Sequence, residues 1–277
     1  MRKILLMVLF FSIVTNLCFA NKEVKFSDVN LVESYKVVAH KKGSDSGIAI
    51  FYADLLQKRY SKNNPSKALF LGIIQIKNAQ NDYVSCMVAA DKLIELSAND
   101  KDGYFWKGYI LEQQAKYDMA LKEYQKALSL SAVDWSTNYR IATVYNDLMN
   151  DSEGKNKSIN RLHAIEYYTI CKDIYLNDRV NLLVMDEDII EVLNNLGRLY
   201  TLNDEYTEAM QCYDLILKDF NIDDNRKCAF YGQKGLVYLL MRKPKQAKKM
   251  LNLIRKIDYN SAAGNILQRV MLECGTY

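Results

Sequence analysis

Between Asp102 and Ala127 small and aromatic residues fall at a spacing that returns in 193–216 and again in 231–254. Gly108 is followed twelve residues later by Ala120, then by Tyr124 and Ala127, with Tyr104 four before it and Leu111 three after. Gly197 repeats the set with Ala209, Tyr213, Ile216, Leu193 and Tyr200; Gly235 repeats it with Ala247, Leu251, Ile254, Tyr231 and Tyr238. A residue without bulk on the first helix of a pair lets the second helix cross it closely, and the alanine is its counterpart on that second helix. Large residues on either side fill the remaining space. Self-similarity with a period near 34 residues predicts units that cannot bury their apolar faces alone and must stack on neighbours.

Weaker copies extend the pattern. Asn138, Ile141, Ala142 and Tyr145 form the first helix of one, whose second helix carries Ala164, Tyr168 and Cys171, ten residues later than an uninterrupted unit would place them. Phe70, Ile73 and Ile74 lead to Tyr83, Cys86, Ala90 and Leu93 in another. Ahead of it, Ala53, Tyr60 and Pro65 match only the second half of a unit, whose start is broken by 41–47.

This arrangement resembles the tetratricopeptide repeat family, which places Trp or Tyr, Leu-Gly, Tyr, Ala, Phe or Tyr, Ala and a late Pro at these spacings. Most copies here lack the full aromatic-leucine-glycine set, and only Pro65 matches the late proline. The resemblance implies an all-α, right-handed superhelical solenoid of stacked antiparallel helix pairs, with about five to six units over 34–260, the first degenerate. Residues 261–277 then supply a C-terminal helix that covers the end of the stack. The resemblance further implies a protein or peptide partner lying along a concave groove made by the first helices. The contacting places, just after the leading aromatic and just after the glycine, hold Phe105, Trp106 and Tyr109 in one unit, Tyr139, Arg140 and Thr143 in the next, then Asn194, Asn195 and Arg198. Rings suit apolar anchors, guanidinium suits carboxylates, and amides suit backbone groups. The alternative is that the aromatics pack on neighbouring helices. The lysine-asparagine clamp with which some family members hold a chain-terminal carboxylate is not matched.

Two insertions break the period. The polar, Gly-containing stretch 150–160 predicts a loop joining two helices. The stretch 179–189 carries Val180, Leu182, Leu183, Val184 and Met185 and reads either as a packed turn or elongated helix or as a lip over the groove. Asp186, Glu187, Asp188 and Glu191 follow at the expected start of a helix, where negative charge complements exposed N–H groups and the helix dipole.

The first twenty residues stand apart. Arg2 and Lys3 precede an apolar run that closes at Cys18-Phe19-Ala20, the pattern of a cleaved export signal. The run is too short to span about 30 Å of bilayer as a helix. Cleavage leaves 21–33 as an N-terminal extension and a chain that is exported, periplasmic or secreted, and not transmembrane; an uncleaved anchor is the competing reading.

Five cysteines remain after cleavage, an odd number without paired spacing, which argues against a disulfide framework. Cys86 and Cys171 fall where the repeat wants a small buried residue. His40 and His163 are the only imidazoles, neither beside a cysteine pair, so no metal is expected. No phosphate loop, nucleophile elbow or zinc-protease helix occurs, so neither a cofactor nor catalysis is expected. A net charge of +4 implies no nucleic-acid partner. The acid-free segment 242–256, with seven cations, reads as a solvated helix face or as a weak contact for an anionic surface or acidic partner. Twenty tyrosines are many, yet several fall on the repeat's own core positions. The chain therefore reads as a non-enzymatic scaffold for a protein or peptide. The alternative is a glycan or small-ligand receptor, similar to the helical-repeat glycan-binding lipoproteins of Bacteroidetes outer membranes.

Overall fold

The computed structural model describes Leu55 and residues 66–275 apart from 180, 181 and 183. The expected signal, the N-terminal extension and the degenerate first unit around Ala53, Tyr60 and Pro65 lie outside the described residues. Eleven helices and no strand are found among those described. The helices are α1 (Lys67–Ala79), α2 (Tyr83–Leu96), α3 (Lys101–Gln113), α4 (Tyr117–Leu130), α5 (Trp135–Asn150), α6 (Gly154–Asn177), α7 (Asp186–Leu202), α8 (Tyr206–Asp219), α9 (Asp224–Leu240), α10 (Pro244–Ile257) and α11 (Ala262–Glu273). Lys67, Lys101 and Trp135, which open α1, α3 and α5, are 34 residues apart. The chain divides into two compact units, one ending at Ile110 and one beginning at Leu111.

One turn recurs four times. Asn81, Ala115, Asp204 and Arg242 have φ of 57°, 55°, 61° and 57°, each two residues before the second helix of its pair. At all four, the N–H of the next residue returns to a carbonyl five residues back: Asp82 to Lys77, Lys116 to Leu111, Glu205 to Tyr200 and Lys243 to Tyr238, at 2.8–2.9 Å. That bond satisfies the last carbonyls of the first helix and reverses the chain within three residues. Glycine is the usual occupant of this left-handed position, and none of the four is glycine. The α5–α6 pair lacks the turn: after Asp151 the chain re-enters helix at Gly154, whose own φ is 56°.

In the first unit α1 and α2 close on each other through Phe70 and Ile74 against Cys86, Ala90 and Leu93, with Ile110 of α3 joining the cluster. Ser66 caps α1 by accepting from the Leu69 N–H at 3.2 Å, and Asp82 caps α2 by accepting from the Ser85 N–H at 3.1 Å. Gly103 is a close approach that the sequence reading did not single out: a Cβ there would sit 2.5 Å from Ile94 Cγ1 of α2.

In the second unit a continuous core runs from Trp135 on α5 through Tyr168, Leu193, Leu196 and Tyr213 to Val237 on α9. Gly197 behaves as its spacing predicts, since a Cβ would meet the Tyr213 ring of α8 at 2.6 Å. Gly235 differs: the crowding atoms belong to Leu267 of α11, not to α10 of its own pair. Its lack of bulk seats the next helix in the stack. α11 closes the end, burying Leu267 and Met271 while presenting Asn265, Arg269 and Leu272 outward. Its outer face is mixed, with Ile266 and Leu272 exposed beside Asn265, Arg269 and Glu273.

The insertions resolve differently from each other. The stretch 150–160 is a loop only to Glu153; from Gly154 it is helical and lengthens α6 to 24 residues. Its polar residues permit helix because 154–159 are solvent-exposed and Gly154 serves the entry turn rather than breaking the interior. In the second insertion Leu182 and Val184 pack against the core and α7 opens at Asp186. Asp186, Glu187 and Asp188 occupy the first turn of α7, which has no side-chain cap; their charge answers the exposed N–H groups. Cys86, Cys171, Cys212 and Cys228 are buried and Cys274 is exposed, all as free thiols. Burial pushes the Cys86 thiol up to about 11 and that of Cys212 to about 12, the behaviour of small core residues rather than reactive ones.

Candidate functional site

In the second unit, residues of α5 and α7 that share a helix face are joined by side-chain bonds. Thr143 and Asn146 on α5, and Glu191, Asn194 and Arg198 on α7, follow spacings of three or four, which place each set on one face. The Arg198 guanidinium donates to Asn146 Oδ1 across the two helices. Burial first, and the nearby Glu191 carboxylate second, push the Tyr139 phenol well above its usual range. Asn195 Nδ2 donates to the Tyr168 hydroxyl at 3.3 Å. Tyr139 also stacks on Trp135, with centroids 5.1 Å apart and planes 9° apart.

Each half-buried cation already has an acceptor. Arg140 reaches Glu112 Oε1 at 3.4 Å, and the same carboxylate accepts from the Tyr124 hydroxyl at 2.5 Å. Burial raises the Glu112 carboxyl above the usual range even with these two partners. Arg226 of α9 holds both oxygens of Glu187 at 2.8 Å. Beside that pair lies an open cleft of about 340 Å³ lined by Asp188, Glu191, Asn194, Ile190 and Phe230. Arg198 differs in that it donates to a neutral amide, that of Asn146, so its positive charge remains available to a carboxylate.

The sequence-predicted residues therefore separate into two groups. Tyr139, Arg140, Asn194, Asn195 and Arg198 belong to the second unit, where Tyr139 and Asn195 meet at Tyr168 and Arg198 meets α5. Phe105, Trp106 and Tyr109 belong to the first unit and form an edge-to-face series, with centroids 5.6 and 5.5 Å apart. Trp106 packs against that unit's core, so part of its surface serves the fold. Glu112, Asn146 and Glu191 went unrecognised as neighbours of these side chains. Glu112 and Asn146 stand four residues after Gly108 and Ala142, one helical turn beyond the places read from the family pattern; that offset was the available signal.

A stack of helix pairs with a polar side-chain stripe along its first helices defines a repeat scaffold. The segments 102–134 and 190–218 match the tetratricopeptide repeat model. No curated protein matches the chain in sequence. Among solved structures it is similar to YrrB, described as a TPR protein with an unusual peptide-binding site (TM-score 0.58, 16% identity, 78% of this chain and 99% of that one). It is also similar to PilF of Pseudomonas aeruginosa (0.58, 12%, 87% and 96%) and to residues 41 onward of MamA from Desulfovibrio magneticus RS-1 (0.51, 12%, 71% and 97%). At these identities the likeness is one of fold. Among the described residues no helix is long and apolar enough to cross a membrane, and no group of three His, Cys, Asp or Glu side chains could hold a metal ion.

Proposed function

We propose that this protein is a non-enzymatic scaffold, exported to the periplasm or beyond, that holds an extended segment of a partner protein against the first helices of its repeats. The observation that carries this reading is the α5–α7 stripe, where Arg198, Asn146, Asn194 and Thr143 present donors and acceptors along one helix direction. An extended chain has unpaired backbone groups at regular intervals, and such a row of short polar side chains answers them. The peptide-binding description of YrrB supports the reading by analogy of fold. Export rests on the N-terminal pattern of a charged start, an apolar run and Cys18-Phe19-Ala20.

Photo-crosslinking amino acids placed at Asn194 and Thr143, and separately at the outward-facing Lys122, test the surface in the native cell. Capture of one partner from both inner positions, and not from Lys122, is expected; equal capture from all three contradicts it. A glycan receptor is the alternative, favoured by the half-exposed rings of Phe105 and Tyr109. A glycan array that retains the wild-type protein but releases a Phe105→Ala/Tyr109→Ala variant would establish that reading instead.

A further inference from the structure

Among the described residues a dense run of positive charge lies on α10, apart from the α5–α7 stripe. α10 buries Ala247, Leu251 and Ile254. Opposite that face, Lys245, Lys249, Asn252 and Lys256 follow at intervals of four, three and four, all exposed. This crest is about 16 Å long at the rise of an α-helix. Exposed Lys248 stands beside it, and Arg242 and Lys243 extend it into the left-handed turn before Pro244. No acid occurs from 242 to 257, and among the described residues no ion pair engages Arg242, Lys243, Lys245, Lys249 or Lys256. Arg255 is different. Its guanidinium donates to the Tyr259 carbonyl, Asn265 Oδ1 and Gln268 Oε1, tying α10 to α11; it belongs to the fold.

Holding this many like charges along one crest costs self-repulsion that nothing on α10 relieves. The surface therefore has electrostatic energy to release on meeting fixed negative charge. Two apolar side chains accompany it: Leu253 on the flank of the crest, 37% exposed, and Tyr259 just past the helix end, 74% exposed. Cations interspersed with an exposed aliphatic chain and an aromatic ring suit a headgroup layer, which offers anionic groups above and acyl boundary below. Because the apolar face of α10 is committed to the core, adsorption is electrostatic rather than insertive.

We propose that the α10 crest docks the protein peripherally on an anionic lipid surface. The test is sedimentation of the purified protein with vesicles. Binding is expected to phosphatidylcholine vesicles containing about a third phosphatidylglycerol at about 0.1 M salt, with steep loss as salt rises. Vesicles of phosphatidylcholine alone report any uncleaved N-terminal apolar run, which binds without regard to lipid charge or salt. Lys245→Glu/Lys249→Glu/Lys256→Glu should reduce the anionic-lipid partition at least about tenfold with an unchanged melting temperature. Lys122→Glu/Lys155→Glu/Lys157→Glu makes the same change in net charge on other exposed lysines and should leave most of the binding. Equal loss in both variants overturns the crest. Absence of any preference for anionic over neutral vesicles overturns the lipid surface, as does retention on an acidic protein matrix without vesicle binding. Failure of the crosslinking at Asn194 and Thr143 would leave this result standing, because the two surfaces share no residue.

Discussion

Gly197→Ala is the smallest perturbation that tests how the repeat is built. In an unconstrained helix interior, glycine to alanine gains roughly 0.5–1 kcal/mol, because alanine loses less backbone entropy on folding. Here the added methyl would stand 2.6 and 2.7 Å from Cζ and Cε1 of the Tyr213 ring, where ordinary contacts begin near about 3.5 Å. Tyr213 is only 1% exposed and packs beside Phe230, so the ring cannot swing into solvent. Either α7 and α8 separate or the ring leaves its rotamer; overpacking of this kind costs about 1–3 kcal/mol. After the propensity gain a net destabilisation of about 1–2 kcal/mol is expected. Urea unfolding followed by circular dichroism measures it as a fall in midpoint at unchanged slope. Gly235→Ala is a second test of the same kind: its methyl would run into Leu267 Cδ2, and Leu267 is itself fully buried, so a comparable cost is expected. A Gly197→Ala protein as stable as wild type, or more so, would refute the close crossing.

The left-handed turns make the opposite prediction: Ala115→Gly and Arg242→Gly, at φ of 55° and 57°, should each stabilise by about 0.5–1 kcal/mol, and a loss of stability would show that the turn is not formed. At Glu112 burial holds the folded carboxyl above its unfolded value. Its contribution to stability is present below the unfolded value and lost as pH rises through the folded one. Relative to Glu112→Gln, wild type should therefore gain stability between about pH 7 and about pH 4; a difference in unfolding free energy that stays flat with pH contradicts this.

Much of the architecture was legible because close packing restricts residue size at fixed spacing. Gly197, Ala209 and Tyr213 declare one crossing by their volumes alone. The same rule names the wrong neighbour at Gly235, since spacing reports that something approaches, not which helix does. The four left-handed turns were invisible because Asn, Ala, Asp and Arg fill them; the Schellman bonds hold a conformation that no local residue advertises. The stretch 150–160 reads as loop from its polarity, yet polarity marks exposure as readily as irregularity, and α6 is helical there. At the candidate site, Arg198 and Tyr139 were found from the family register. Their neighbours Asn146 and Glu191 were missed because pairing depends on the distance between α5 and α7, which an insertion of uncertain shape conceals from the sequence.

The central claim is that the inner stripe binds a partner segment with surface the fold can spare. Its most direct test is the affinity of the crosslinked segment, measured by calorimetry against wild type and against Arg198→Ala and Asn194→Ala, alongside melting temperatures. The account predicts about tenfold weaker binding in each variant, about 1–2 kcal/mol, with melting nearly unchanged. Undiminished affinity in normally folded variants would contradict it.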